Sequence, residues 1–309
     1  MAIRLPPGLI RALIRYSVRP FLGPPFPFWF QRSWLRLLSG VNRPSGGSSR
    51  ITIDLAGLSA LVARPRGSEP ETTVLYFHGG GYCVGSWGTH LGPITHLAVA
   101  ADATVYAPNY RLAPEHPHPA ALDDALRAYQ WLLERGVSST QLTLAGDSAG
   151  GGLALAAAIR IRDSKLPPPA SIVLLSPWTD LTGDSESMRQ NVRIDPMLRP
   201  KWSRQCASKY LAGRDPKTPA CSPLFASHDG LPPILIQVGS DEILVDDSTR
   251  LAERCREAGV DVTLHRYQGL WHDFQSHAGI LDTADQALAE IAAFVEEKAR
   301  VELLRENTV

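Results

Sequence analysis

The stretch Gly146-Asp147-Ser148-Ala149-Gly150-Gly151 places a serine between a short apolar run, Leu142 to Ala145, and a small-residue helical stretch, Leu153 to Ile161. A strand, a sharp turn and a helix in that order push the hydroxyl out at the apex. The flanking glycines omit side chains that would collide with the neighbouring strand and helix. Ser148 is therefore a candidate nucleophile, although a bare G-x-S-x-G also arises by chance. Upstream, His78-Gly79-Gly80-Gly81 follows the apolar run Thr73 to Phe77 and leads into Tyr82. Glycines after a strand leave backbone N–H groups free to meet a developing oxyanion, and losing one such donor typically costs about 10²- to 10³-fold in rate. A flexible loop is the bland alternative. A nucleotide loop fits poorly, because Val84 stands where G-x-G-x-x-G needs its third glycine and no Lys-Ser/Thr pair follows.

Apolar runs alternate with helical patterns along the chain, which predicts strand-helix-strand units and a largely parallel sheet. Strands are expected near 51–55, 59–64, 73–77, 103–107, 141–145, 171–175, 234–238 and 262–267, with helices near 90–101, 119–134, 149–163, 245–258 and 283–300. The first two strands, separated by Ala56-Gly57, read as an antiparallel hairpin. Gly46-Gly47-Ser48-Ser49 reads as a flexible join before it.

A serine hydroxyl needs a base, and the base needs an orienting acid. His228, His265, His272 and His277 follow Ser148. His265 falls inside an expected strand and His228 in a loop before one. His272 comes just after the eighth expected strand, at the sheet's carboxyl end, where ligands of such folds bind. Asp241 follows the strand Ile234 to Val238 and the turn Gly239-Ser240, again at a carboxyl end. Glu242, Asp246 and Asp247 read as first-turn residues of the next helix, where negative charge is favoured.

The two glycine motifs resemble the signatures of the hormone-sensitive lipase group of α/β-hydrolases, also called bacterial family IV esterases. Tyr110-Arg111-Leu112-Ala113-Pro114-Glu115, Pro119 to Asp124, and Ser222-Pro223-Leu224 with Leu231-Pro232-Pro233 are similar to further segments of that group. The resemblance covers roughly residues 70 to 300. It implies an α/β-hydrolase fold, with an eight-stranded, mostly parallel sheet flanked by helices and a helical cap over the site. It also implies a triad in the chain order serine, acid, histidine: Ser148, Asp241 and His272. In the group's D-P-L-x-D pattern Glu242 replaces the proline, and Asp273 stands where a glycine usually follows the histidine. The oxyanion donors would be the backbone N–H groups of Gly80, Gly81 and Ala149. The expected chemistry is two-step acyl transfer on a small-molecule ester, and a pocket walled by the N-terminal aromatic cluster and residues 181–215 would favour short to medium acyl chains.

Two segments break the alternation. Residues 1–40 carry Ile10, Leu13 and Ile14 with Arg11 and Arg15, then the aromatics Phe26, Phe28, Trp29, Phe30 and Trp34. Residues 181–215 form an insertion with Met188, Ile194, Met197, Leu198 and Trp202. The resemblance makes residues 1–45 and 181–215 a cap, with 46–180 and 216–309 the two parts of the catalytic domain. The competing reading is an aromatic surface for a membrane or a partner chain. Tyr82, Trp87, Asp147, Ile194 and Met197 are expected to touch substrate. An apolar lid would shape the pocket and exclude water.

Lys plus Arg equals Asp plus Glu at 31 each, which gives no sign of a nucleic-acid partner. No apolar stretch approaches the ~20 residues of a membrane span, no secretory leader is evident, and a cytoplasmic protein without a stable membrane anchor is expected. A homodimer is left open. Cys83, Cys206, Cys221 and Cys255 lack metal-ligand spacing and read as free thiols, so no metal site is expected, and the proposed chemistry needs no cofactor. Cys83, two residues beyond the glycines, is expected to lie where a thiol reagent could block substrate. Amide or lactone hydrolysis, and a ligand receptor on the same fold that has lost catalysis, remain the alternatives.

Overall fold

Eight strands form one sheet in the order β1-β2-β4-β3-β5-β6-β7-β8. They are β1 Ser48–Leu55, β2 Leu58–Pro65, β3 Thr73–Phe77, β4 Thr104–Pro108, β5 Leu142–Asp147, β6 Ser171–Leu175, β7 Ile234–Gly239 and β8 Val262–Tyr267. The computed structural model describes residues 4–41 and 43–306, so the outermost residues of the first and last expected segments, and residue 42, lie outside it. β1 and β2 form the expected hairpin. Ala56 and Gly57 both take positive φ, as a tight two-residue turn requires, and Asp54 Oδ1 accepts the Gly57 N–H at 2.7 Å. β2 pairs antiparallel with β4, and every later pairing is parallel.

The parallel strands β3, β5, β6 and β7 are buried along their length, which explains their near-continuous apolar runs. Helices cover both faces. On one lie α4 Ala120–Glu134, α5 Ala149–Asp163 and α8 Val245–Glu257, packed on Leu75, Phe77, Leu144 and Ile236. On the other lie α3 Leu91–Ala100 and α9 Asp282–Glu306, packed on Val74, Tyr76, Ala145 and Val173. Neighbouring residues of one strand thus serve opposite cores, as the pleat dictates. β3 is flanked by β4 on one side and β5 on the other, so the chain winds outward in both directions from there, and a crevice opens at the strands' carboxyl ends.

The remaining helices belong to the two segments outside the alternation. α1 Pro7–Leu13 continues as a wider turn over Ile14–Val18, and α2 Phe28–Leu38 follows. The insertion supplies the short α6 Ser187–Gln190 and α7 Pro200–Leu211. The segments are tied together. Arg15 donates to the carbonyls of Arg193 and Ile194 at 2.9 and 3.0 Å, Arg19 to that of Val192 at 2.7 Å, and Trp202 Nε1 to the fully buried Gln31 at 2.9 Å. The expected aromatic cluster forms a small core: Phe26 stacks on Phe30, Phe30 on Trp34, and Phe21 packs between them. Trp29 alone of that group is left mostly exposed.

Candidate active site

Ser148 sits at the tip of the turn between β5 and α5 with φ 51° and ψ −120°, a conformation an L-residue adopts only when its surroundings force it. Its N–H donates to Leu175 O at 2.8 Å and its carbonyl accepts from Trp178 N at 2.8 Å, so β6 and the segment after it pin the strained turn. A Cβ on Gly150 would come within 2.0 Å of Phe77 O, so α5 can approach β3 only through a glycine. Gly80 takes φ 118°, and a Cβ there would meet Val84 O at 2.2 Å. Its carbonyl accepts from Cys83 and Val84, which curls the loop so that Gly80 lines the cavity beside Ser148. Ala149 is the first residue of α5, where a helix N–H has no intrahelical acceptor.

His272 follows β8 and is 1% exposed. Its Nδ1 faces Glu242 Oε1 at 3.5 Å, and among the described residues no other hydrogen-bond partner serves either of these buried atoms. Glu242 is itself fully buried, and its second oxygen accepts from Ser176 Oγ at 2.8 Å. Asp241, the acid expected from the sequence, is not brought to His272. Its carboxylate is turned outward, with one oxygen on Arg11 of α1 and the other on Ser240 Oγ at 2.7 Å. The reason is local: the chain turns after β7, so consecutive side chains diverge, and the glutamate takes the inward direction. The insertion holds that turn in place. Asn191 Nδ2 donates to Ser240 O and Glu242 O at 3.3 and 2.9 Å, and buried Asp195 accepts from Ile243 N, Met197 N and Leu198 N. Neither Asn191 nor Asp195 stood out in the sequence, because a side chain that caps a distant loop leaves no periodic signal.

The other imidazole nitrogen is also engaged. His272 Nε2 lies 3.1 Å from Asp273 Oδ2, and Asp273 takes φ 54°, the left-handed conformation in which a glycine is the default. Burial would lower the histidine's pKa, but Asp273 and Glu242 outweigh it and hold the imidazole well above its ordinary value. Burial first, and then repulsion from Asp147 and Glu242 against the pull of His272, brings Asp273 up to about 7. Asp147 accepts from Tyr76 Oη at 2.6 Å and from His90 Nε2 at 3.2 Å. Burial acts to raise its carboxyl, yet His90 and Tyr76 prevail and keep it below the usual carboxylate value. His90 had no signal in the sequence and is visible only through this contact.

Ser148, His272, Asp273, Asp147 and His90 share a cavity of about 410 Å³. Its apolar walls come from both segments outside the alternation, notably Ile10, Ile14, Leu35 and Leu38 of the first and Met197 and Leu198 of the second. Of the residues expected to touch substrate, Asp147 and Met197 line it. Tyr82, Trp87 and Ile194 do not: Tyr82 is buried against Tyr210 at a ring separation of 3.8 Å, Trp87 is half-buried elsewhere, and Ile194 faces solvent. Gly81 and Ala149 adjoin the lining residues Gly80 and Ser148 without lining the cavity themselves. Cys83 is fully buried with its Sγ toward Cys206 O, which corrects the expectation that a reagent could reach it. Among the described residues no cluster of His, Cys, Asp and Glu could hold a metal ion, and no helix is long and apolar enough to cross a membrane.

A sheet wound outward from β3 with a strained serine at its switch point defines the α/β-hydrolase class. A sequence profile of the alpha/beta hydrolase fold matches residues 74–276. The chain is 42% identical over 223 residues to an acetyl-hydrolase of Streptomyces hygroscopicus, covering 72% of this chain and 75% of that one. It is 40% identical over 243 residues to an esterase of Acinetobacter venetianus, covering 78% and 80%. A crystal structure of an esterase from the bacterial hormone-sensitive lipase family superposes with a TM-score of 0.90 at 36% identity, covering 94% of this chain and 97% of that one. The chain belongs to this hormone-sensitive lipase family and is a carboxylic ester hydrolase.

Proposed function

We propose that this hydrolase cleaves short- to medium-chain acyl esters by an acyl-enzyme mechanism in which Ser148 attacks, His272 takes and returns the proton, and Glu242 orients the imidazole. The observation that carries the assignment of the acid is the pairing of His272 Nδ1 with the buried Glu242 carboxylate. Catalytic hydrogen bonds are often long in a resting site and tighten when substrate binds. With Nδ1–H held by Glu242, the lone pair of Nε2 is free for the serine proton once Asp273 releases it. The resulting imidazolium is stabilised by the same carboxylate. The N–H groups of Gly80, Gly81 and Ala149 then stabilise the tetrahedral oxyanion. The alcohol departs with the proton from His272, and water repeats the sequence on the acyl-enzyme.

Residues 1–45 and 181–215 act as the cap of this site, and their aliphatic side chains form the acyl pocket. Each methylene buried there contributes about 0.8 kcal/mol, close to a fourfold gain in kcat/KM per carbon until the end wall is reached. From α2 the walls include Leu35 and Leu38, whereas Trp29 and Trp34 do not line the cavity. Leu35→Trp should therefore lower kcat/KM for p-nitrophenyl octanoate at least tenfold more than for the acetate. Equal losses on both esters would show that Leu35 supports the fold and does not bound the acyl chain. Parallel assays on anilides and lactones test the bond type, and faster turnover of either would displace the ester reading.

The two carboxylates around His272 set a pH dependence. Catalysis needs the neutral imidazole, and a raised pKa keeps it protonated to higher pH, so the acidic limb of kcat/KM should lie above the ~6.5 of a free histidine. Asp273→Asn removes one negative charge beside Nε2 while tolerating the left-handed backbone. The limb should then move to lower pH by about one unit or more, given the 1 to 3 units that an opposite charge at this range produces. A limb that stays in place would mean that Asp273 does not govern the base.

A further inference from the structure

The cap has an outer face that the pocket does not use. Residues 1–45 contain seven arginines and no acidic residue, and residues 181–215 contain seven basic residues against four acidic ones. The cap therefore carries a formal charge of +10, balanced by −10 over the rest of a neutral chain. Some of this charge is used internally: Arg4 pairs with Asp285, Arg11 with Asp241 and Arg32 with Glu115. Arg15, Arg19 and Arg199 bond to carbonyls, and among the described residues neither these three nor the exposed Arg36 and Lys201 form an ion pair. Arg19 is pushed below its ordinary pKa first by burial and then by Arg15 and Arg199, against an opposing pull from Asp195.

Apolar exposure is concentrated on the same segments. Of nine large hydrophobic residues left exposed among the described residues, six lie in the cap: Leu9, Leu13, Tyr16, Trp29, Leu37 and Ile194. Leu9, Leu13 and Tyr16 are spaced four and three apart and share one side of α1 and its continuation. Leu13 is also a wall of the cavity, so the exposed stripe runs into the acyl pocket. α2, which bears Trp29 and Leu37, is joined to that continuation by the bond from Trp34 Nε1 to Ser17 O at 2.7 Å. Scattered surface leucines need no explanation. A helical surface that combines apolar anchors, arginines and an apolar cavity opening beside them is suited to the headgroup region of a lipid layer. The positive charge selects the sign of that layer.

We propose that the cap docks this enzyme reversibly on anionic phospholipid surfaces, with Leu9, Tyr16, Trp29 and Leu37 as apolar anchors and the surplus arginines facing the headgroups. The inference does not depend on the acyl-enzyme reading, since docking is measured without turnover. The full chain is sedimented with sucrose-loaded vesicles of phosphatidylglycerol and phosphatidylcholine, or of phosphatidylcholine alone, at 50 and 500 mM NaCl. Binding to the anionic vesicles at low salt should exceed binding to phosphatidylcholine at least tenfold and fall at least tenfold at high salt, because exposed charges are screened. Leu9, Tyr16, Trp29 and Leu37 replaced together by serine should abolish sedimentation while leaving p-nitrophenyl acetate turnover intact, as none of the four lines the cavity. Arg36→Glu with Lys201→Glu should weaken binding about tenfold. No binding to anionic vesicles, binding without regard to lipid charge, or binding unchanged in the serine variant would each overturn the proposal. So would a wild-type dimer that the serine variant converts to a monomer while vesicles go unbound, because the surface would then belong to a second copy of the chain.

Discussion

Ser148→Ala should retain the fold, read by circular dichroism, and lose roughly four to six orders of magnitude in kcat on p-nitrophenyl butyrate. The size of the loss follows from the way a nucleophile and its base act as a unit: once the hydroxyl is gone, the imidazole has nothing to activate. What survives comes from the oxyanion donors and from substrate binding, which alone give about 10³- to 10⁴-fold over water. The variant also relieves nothing at the elbow, because alanine carries the same Cβ into the same positive φ. Stability should therefore change little, and a fluorophosphonate probe that labels the wild type should leave the variant unlabelled. Turnover within tenfold of wild type in a folded Ser148→Ala protein would show that another group performs the attack.

The sheet was largely legible because its physics is local. Buried parallel strands demand uninterrupted apolar runs, and β3 and β6 occupy the expected residues, as does the partly exposed edge strand β8. Discrepancies fall where hydropathy stops being the determinant. β1 begins at Ser48, ahead of the apolar residues, because pairing with β2 out to Pro65 extends the polar run Ser48-Ser49-Arg50 into the sheet. α9 runs on to Glu306 through a stretch of charged residues with high helix propensity, beyond the point where its apolar pattern fades. The insertion was legible only as an exception: α7 buries Trp202, Cys206 and Tyr210 at helical spacing, but α6 is a single turn anchored by Ser187 N on Asp246, and the segment between them is held by Asp195 on the backbone of Met197 and Leu198.

The site divides in a similar way. Ser148 and the glycine loop could be read because strained backbone and close approach restrict residue type, so the constraint is written into glycines at fixed spacing. Tyr82, Trp87 and Ile194 do not line the cavity, because nearness along the chain does not determine the direction of a side chain. The carboxylate that faces His272 was hidden for the same reason at its smallest scale. Asp241 and Glu242 are adjacent, both follow β7, and either has the right charge; only the course of the backbone through Ser240 decides which one is buried.

That decision yields the sharpest test. Glu242→Gln should lower kcat about 10³- to 10⁴-fold with little change in KM, whereas Asp241→Asn should leave kcat within about threefold of wild type. The glutamine keeps the shape and can still accept the Ser176 hydroxyl bond. Its amide N–H₂ would instead face His272 Nδ1 and donate to it, which fixes the proton on Nε2, the tautomer that cannot accept a proton from Ser148. Loss of the orienting carboxylate in such a triad costs about 10⁴ in kcat for this reason. Asp241 is partly exposed and paired with a partly exposed Arg11, so removing its charge costs at most about 1 kcal/mol of stability and leaves the imidazole's surroundings as they were. If Asp241→Asn suffers the large loss and Glu242→Gln does not, the loop after β7 must turn over when substrate binds, bringing the aspartate inward. Comparable losses in both variants would mean that the Arg11 to Asp241 pair is needed to hold Glu242 in place, and Arg11→Met should then reproduce the defect with both carboxylates intact.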